Sequence, residues 1–440
     1  MGLRNRFGYA LAVGGVLIAL VVSSVLLYRL MLASSFDLPA GFLRLSTGVL
    51  FGFLVALIVR YVLLLWFSYL SFLDESRSSA AGSACPLVSI LVPSYNEAPV
   101  IQGSIRSLLK LDYPRYEILV IDDGSTDDTY FRAAVFDGRH GGAEVRVLHK
   151  RNGGKADALN LGIEQARGSL VLCMDGDSTL APGTLRCAAP IFDDPAVGAV
   201  AGNVKVVNRT TMLSRLQALE YIEGLNMVRQ AQAFFRAVNI VPGPIGLFRR
   251  SALRELGGYA SDTFAEDCDL TLRLLARGWQ VRYQPLAVAH TEAPEGLLDL
   301  LKQRYRWTRG ILQAIRKHAI ALVDPRGRWT LCLTLWYMLF EGVAWPVLNV
   351  FAHVLFVVLA AGYGASLPLV VWWAQLTVLD LAAALYCVAI EEESLALVPY
   401  AVLYRAFFAL TIDVSKLFAT VEELLRLRMD WGKLERMGRI

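Results

Sequence analysis

Apolar residues in this chain gather at its two ends, and the charged residues between them form one long island. Tyr9–Leu32 is uncharged apart from Arg29, and Phe42–Phe72 is a second such run, with Arg44 near its start and Arg60 inside it. Each is longer than the roughly 20 residues that cover a hydrocarbon core as a helix. A secretory leader has a shorter apolar stretch and a small-residue cleavage site, so both runs read as membrane anchors. A further apolar region starts near Trp329 and continues almost to Thr420. The island between them, about Pro86 to His318, is therefore expected to be a globular unit held at a membrane.

Charge sets its side. Arg4 and Arg6 precede the first run, and the loop around Asp37 holds no Lys or Arg. The positive-inside rule puts the N-terminus in the cytosol, and two crossings return the island there. Candidate C-terminal spans are Leu331–Ala361, Leu367–Ile390 and Leu395–Thr411; the first is long and is interrupted by Glu341-Gly342 and Pro346, which predicts a kink or an interfacial part. Three spans would leave the C-terminus outside, whereas the Arg- and Lys-rich tail Arg426–Arg439 argues for inside, and both counts stay open. Arg405, Asp413 and Lys416 lie in or near the last span. Charges there either line a polar path or snorkel to the interface.

Composition excludes other classes. With 55% hydrophobic and 19% charged residues the chain is too apolar for an ordinary soluble protein. A net charge of +4, from 43 basic against 39 acidic residues, leaves no electrostatic footprint for nucleic acid, which is not expected as a partner. The six cysteines are scattered without a CxxC pair or zinc-like His spacing, and read as unpaired thiols.

The island reads as α/β. Leu87–Val92 is a short apolar strand ending in Pro93-Ser94-Tyr95-Asn96-Glu97; a helix with Val100, Ile101, Ile105, Leu108 and Leu109 on one face follows. Tyr116–Ile121 is a second strand, running into Asp122-Asp123-Gly124-Ser125. Strand, helix and strand in so short a span make a βαβ unit and a parallel sheet. Ligands of such sheets gather at the carboxyl ends of the strands, where both polar motifs stand. A third strand (Val145–Leu148) leads to Lys150-Arg151-Asn152-Gly153-Gly154-Lys155, and Ser169–Met174 ends in Asp175-Gly176-Asp177. No GxGxxG follows the first strand and no GxxxxGK[ST] occurs, which disfavours dinucleotides and P-loop chemistry. Asp175 and Asp177 offer hard oxygen ligands of the kind Mg²⁺ uses together with substrate phosphates, and Mn²⁺ fits equally.

Together these motifs resemble the family 2 glycosyltransferases: Pro93–Glu97, the Asp122–Ser125 turn, Lys155 in Gly-Lys-Ala-Asp-Ala-Leu-Asn, and Asp175-x-Asp177. Glu266-Asp267 in Phe264-Ala265-Glu266-Asp267 matches that family's acidic catalytic motif, with Ala265 where Thr is usual. Gln303-x-x-Arg306-Trp307 matches the QxxRW signature of its processive polysaccharide synthases. The resemblance implies an α/β GT-A glycosyltransferase domain, with a mixed, mostly parallel sheet flanked by helices, inserted between α-helical transmembrane segments. It also implies an inverting reaction that uses a nucleotide sugar. Asp267, with Glu266, would be catalytic. Pro93, Tyr95, Glu97, Asp122, Asp123, Lys155, Asp175 and Arg306 would bind the donor, and Asp175 and Asp177 a Mg²⁺ or Mn²⁺ ion. Gln303, Trp307 and Gly243 would bind the acceptor; Gly243 lies in Pro242-Gly243-Pro244-Ile245-Gly246, which Pro244 makes stiffer than the corresponding loop of related synthases.

Leu297–His318 carries Leu297, Leu301, Tyr305, Leu312 and Ile315 as one helical stripe, with Gln303, Arg306 and Trp307 at i, i+3 and i+4 on a neighbouring face. The lesser alternative is a helix that lies in the interface, with Arg304, Arg306 and Arg309 toward lipid headgroups, and the two are compatible. His290 is a candidate metal ligand or, more simply, a structural histidine. Gly202-Asn203-Val204-Lys205 has no role derivable from sequence.

The expected division is a two-helix anchor (1–80), a cytosolic GT-A domain (85–310), amphipathic interfacial helices (297–328), a C-terminal transmembrane bundle (329–420) and a basic tail (421–440). By resemblance the chain is a multi-pass protein of the bacterial inner membrane. It would polymerise a UDP-sugar, with UDP-N-acetylglucosamine into poly-β-1,6-N-acetylglucosamine as the first choice, and pass the chain across the bilayer. Its partners would be the UDP-sugar, the growing polysaccharide and lipid, with a small membrane accessory subunit left open. A single-addition transferase acting on a lipid phosphate carrier and a catalytically silent scaffold are the alternatives; the first needs neither QxxRW nor a conduit.

Overall fold

The structure is a computed structural model that describes residues 40–78, 85–324, 326, 328–363 and 367–427, with positions 15, 18–19, 21–26 and 29 of the first apolar run. Most of Tyr9–Leu32, the charges at Arg4 and Arg6, the loop at Asp37 and the basic tail beyond 427 lie outside the described residues.

A nine-stranded mixed sheet forms the centre, in the order β3-β4-β2-β1-β5-β8-β7-β9-β6. Its parallel part is β4 (Ala143–His149), β2 (Tyr116–Asp122), β1 (Val88–Ser94) and β5 (Leu170–Cys173). All of β1 and β2 is buried, as expected of strands covered on both faces. In register, Ser94 pairs with Asp122 and Asp122 with His149, so the polar motifs leave the sheet at one level. Helix α1 (Ala40–Ser78) precedes the sheet; α2 (Ile101–Leu108) covers it with Ile101, Ser104, Ile105 and Leu108, and α3 (Lys155–Gln165) starts at the Lys of the third motif.

Beyond β5 the pairing changes direction. β8 (Gly246–Arg249) is antiparallel to both β5 and β7 (Val197–Val206), and β6 (Ser178–Leu180) is antiparallel to β9 (Gln280–Thr291). β9 is one continuous strand, parallel to β7 with a register shift after Gly202. A short hairpin strand, β3 (Gly138–His140), adds an edge that had no sequence signal.

Helices α4 (Met212–Glu220) and α5 (Met227–Phe234) are joined by a π-helical turn at Tyr221–Asn226; α4 packs on β7, and α5 lies between β9 and α1. Next come α6 (Glu266–Ala276), which begins at the acidic motif, and α7 (Leu297–Lys317), which carries Gln303 to Trp307. The C-terminal apolar helices follow as α8 (Trp329–Leu339) and α9 (Trp345–Tyr363), continuous through a π-helical turn at Phe340–Ala344, then α10 (Leu367–Ile390) and α11 (Leu410–Leu424).

Among the described residues, three helices are long and apolar enough to cross a membrane: Leu45–Leu73, Trp329–Gly362 and Leu367–Ile390. Leu395–Thr411, expected as one straight span, is instead the bend of a broken pair, Leu395–Leu403 and Phe407–Leu424, which meet at 61°. Pro399 lies inside the first piece and Arg405 in the break, paired with Asp380 of α10. The end of α11 lies against α7, where Arg309 donates to Glu423 at 2.9 Å and to the Leu427 carbonyl at 2.6 Å. The described C-terminal end thus lies on the side of the sheet. Within the apolar helices Arg60 pairs with Glu341 at 2.7 Å, and Asp413 with Asn349 at 2.7 Å and Lys416 at 3.4 Å.

Candidate active site

Lys155 opens α3 and lies between the two acidic motifs. Its ammonium group is 2.7 Å from Asp175 Oδ1, at the end of β5, and 2.9 Å from Glu266 Oε1, at the start of α6. Burial pulls against its charge, yet the Asp175, Glu266 and Asp267 carboxylates hold the ammonium well above its ordinary value. Asp267 shows the opposite balance. Burial, then the neighbouring Glu266 charge, pushes it up to about 6, with Lys155 opposing the rise. It also accepts from the Cys268 amide at 2.7 Å. A carboxylate near 6 remains ionised at neutral pH and is still basic enough to take a proton.

Pro93, Lys155, Gly243, Glu266 and Asp267 line one small cavity, floored by Tyr259. A Cβ at Gly243 would stand 2.8 Å from Asp175 Oδ2 and 2.9 Å from Lys155 Nζ, so the small-residue loop lies directly against the ion pair. Asp177 is buried beside it, and Gly176 passes within contact of Pro93 and Glu97. Tyr95 is exposed at the rim.

The Asp122–Ser125 turn is more internally committed than its sequence suggests. Asp123 accepts from the Gly153 and Gly154 amides at 3.0 and 2.7 Å and from Lys150 at 2.7 Å, which ties the turn to the loop leading into α3. Asp122 accepts from His149 at 2.7 Å and Ser125 at 3.3 Å, leaving its Oδ1 without a protein partner. That atom is the one carboxylate oxygen of the pair with no protein donor.

Helix α7 reaches the catalytic motif through its backbone and a glutamine. A Cβ at Gly310 would be 2.6 Å from the Ala265 nitrogen, so only glycine lets the helix approach this closely. Gln313 Oε1 accepts from the Phe264 amide at 3.1 Å, while its Nε2 donates to Glu423 of α11 at 3.1 Å. Arg309 binds the same Glu423. The loop before Asp267 is therefore set by α7, and α7 by α11.

Gln303 is buried and accepts from Arg304 at 2.5 Å; Arg304 is ion-paired with Glu220 of α4 and its guanidinium lies 4.2 Å over the Trp307 ring. Arg306 is half-buried on the same helix. The interfacial reading of Arg304 and Arg309 does not hold, because both are buried against carboxylates rather than turned to headgroups. Glu220, Gln313 and Glu423 are site-shaping residues that sequence reasoning missed; each acts across more than 80 residues, except for the Gln313 bond to Phe264 at 49. Asn203 and Lys205, which had no derivable role, bond Glu391 and Glu393 just beyond α10, at 2.7 and 3.0 Å, and so fasten the sheet to that apolar helix. His290 sits within β9, in register with Thr179 and Lys205, and among the described residues no group of three ligating side chains surrounds a metal position.

Residues 86–310 match the family described as glycosyltransferase like family 2. The chain is 31% identical over 258 residues to a poly-beta-1,6-N-acetyl-D-glucosamine synthase of Staphylococcus epidermidis, covering 58% of this chain and 61% of that protein. It is 34% identical over 224 residues to a synthase of the same name from Staphylococcus aureus (strain COL), covering 51% and 54% respectively. The matches thus span little more than half the length of these curated relatives. Among solved structures, the mannosyltransferase PcManGT from Pyrobaculum calidifontis, in complex with GDP-Man and Mn²⁺, superposes with a TM-score of 0.57 at 23% identity. That match covers 84% of this chain and 99% of the other, and is a likeness of fold.

Proposed function

The chain belongs to glycosyltransferase-like family 2 and has the GT-A fold, and from that premise we propose that it is an inverting, processive polysaccharide synthase of the membrane. The donor we infer is UDP-N-acetylglucosamine and the product poly-β-1,6-N-acetylglucosamine, on the strength of the named relatives. One observation carries the reading: Lys155 joins the donor-side Asp175 to the catalytic motif at Glu266, beside a helix that bears Gln303, Arg306 and Trp307.

In the transfer, an acceptor hydroxyl oxygen attacks the anomeric carbon as the bond from that carbon to the diphosphate oxygen breaks. Asp267 takes the hydroxyl proton, and the nucleoside diphosphate leaves with the bonding electrons. Lys155 holds the Asp175 and Glu266 carboxylates in place and offsets their charge, which keeps Asp267 ionised. Asp175 and Asp177 fit a divalent ion, since Mg²⁺ commonly takes one or two carboxylates and completes its shell with phosphate and water. Mg²⁺ or Mn²⁺ held there would stabilise charge on the leaving diphosphate. Trp307, over whose ring Arg304 lies, is assigned as the apolar platform for a sugar ring. Asp122, through its unpartnered oxygen, is assigned to the nucleoside.

We assign the sheet to the cytosol, residues 329–420 to a transmembrane bundle and the product to export through it; the fastening of β7 to the cytosolic end of α10 supports this reading. Incubating membranes that carry the full chain with a panel of radiolabelled UDP-sugars tests the proposal. Label from UDP-N-acetylglucosamine should enter polymer. Label confined to a lipid would favour the single-addition transferase, and no turnover of any donor would favour the scaffold.

A further inference from the structure

Four arginines are buried among the described residues, and three of them form an ion pair with a carboxylate. Arg304 is paired with Glu220, Arg309 with Glu423 at 2.9 Å, and Arg405 with Asp380. The fourth, Arg229 on α5, is 8% exposed and is different. Its one hydrogen bond runs from Nη1 to Asn226 Oδ1 at 3.1 Å, and no carboxylate of the described residues comes within ion-pair distance. Burial pulls the guanidinium below its ordinary value, and the groups that face it (Tyr283, Tyr221, Asp267 and Glu391) counter this only in part. A buried charge without a partner is costly, and a chain that pairs its other three buried arginines has not relieved this one.

Its surroundings point to a ligand. Asn226, which accepts from Arg229, donates to Asn203 at 2.7 Å, and Asn203 donates to Glu391 just beyond the membrane helix α10 at 2.7 Å. Helix α5 packs along α1 on one side and against β9 on the other. Arg229 thus lies between Asp267 and the ends of the membrane helices, the region that a product leaving the site toward the bilayer would cross. Asp267 and Glu391 already oppose the guanidinium charge, so the site suits a neutral, oxygen-rich molecule better than a diphosphate. A guanidinium fork offers up to five N–H donors to such oxygens.

We propose that Arg229 is a binding residue for the acceptor glycan, donating to hydroxyl or acetamido oxygens of the chain end on the membrane side of Asp267. The inference rests on the glycan-synthase reading above. Groups retained against stability are expected at binding sites, so the proposal couples two effects that a structural arginine would not produce together.

The test uses the full chain in lipid nanodiscs, with UDP-N-acetylglucosamine and a short β-1,6-linked N-acetylglucosamine oligosaccharide as acceptor. Arg229→Met should raise the acceptor KM by roughly 10–100-fold, the loss expected for a charged hydrogen-bond donor, while UDP affinity by calorimetry stays unchanged. The same variant should melt at a higher temperature than the unaltered protein, and Arg229→Lys should recover part of the acceptor KM. An unchanged acceptor KM, a weakened UDP affinity, or a lowered melting temperature with loss of kcat and KM alike would overturn the assignment. If the unaltered protein neither binds nor extends the oligosaccharide, the synthase reading falls and this inference with it.

Discussion

The two halves of the candidate site are built by different means. On the donor side, Asp122, Asp123 and Asp175 stand at the carboxyl ends of β2 and β5, the parallel strands that flank β1, and Asp123 is held by the loop that leads into α3. On the acceptor side, Asp267 follows a loop whose position depends on Gly310 and Gln313 of α7, and α7 depends on Glu220 of α4 and Glu423 of α11. The first half is a property of the sheet alone. The second is a property of the sheet together with the C-terminal helices, so changes in those helices are expected to reach the catalytic base before they reach the nucleotide.

Four changes sharpen or break that contrast. The largest effect is expected from Asp267→Asn, which removes the proposed base. Turnover should fall roughly 10²–10⁴-fold while UDP binding, measured by calorimetry, persists; near-normal turnover would remove Asp267 from its role. Lys155→Met should be next, since the ammonium serves both halves. Loss of a charged contact of this kind predicts a drop in kcat/KM of roughly 10–100-fold, with a raised donor KM, and a change confined to the acceptor KM would argue against the bridge. The pH profile follows. Because burial and Glu266 raise Asp267 to about 6, its carboxylate is charged above that value and protonated below it. The rate should be level above about 6 and fall about tenfold per unit on the acid side; a limb beginning near 4 would contradict the burial effect. Smallest is the relay. Glu423→Ala and Gln313→Ala should each lower kcat by about fivefold with donor KM unchanged, and the double variant should be little worse, since residues in one network are non-additive. Fully multiplicative effects would separate α11 from the catalytic loop.

The same contrast explains what the sequence reveals. Donor-half residues were legible because each lies within a few positions of an apolar strand, so strand, turn and acidic residue form one local pattern. The acidic motif and Gln303-x-x-Arg306-Trp307 were legible as motifs, although how they are held was not. Arg304 reads from sequence as a headgroup arginine, and only the ion pair with Glu220, 84 residues away, places it under Trp307. Glu423 looks like an exposed charge at a helix end until Arg309 and Gln313 are seen to converge on it. The bend at Arg405 escaped the apolar-run count because Asp380, which satisfies that charge, lies on another helix. Patterns within an element can be read from spacing, whereas pairings between elements depend on the packing that brings them together.

Polymerisation without release is the central claim, and the length distribution of products made by the full chain in nanodiscs under excess oligosaccharide acceptor tests it most directly. With UDP-N-acetylglucosamine limiting, the account predicts a few long chains beside unreacted acceptor from the earliest times. A population in which nearly every acceptor has gained one or two sugars before any long chain forms would contradict it.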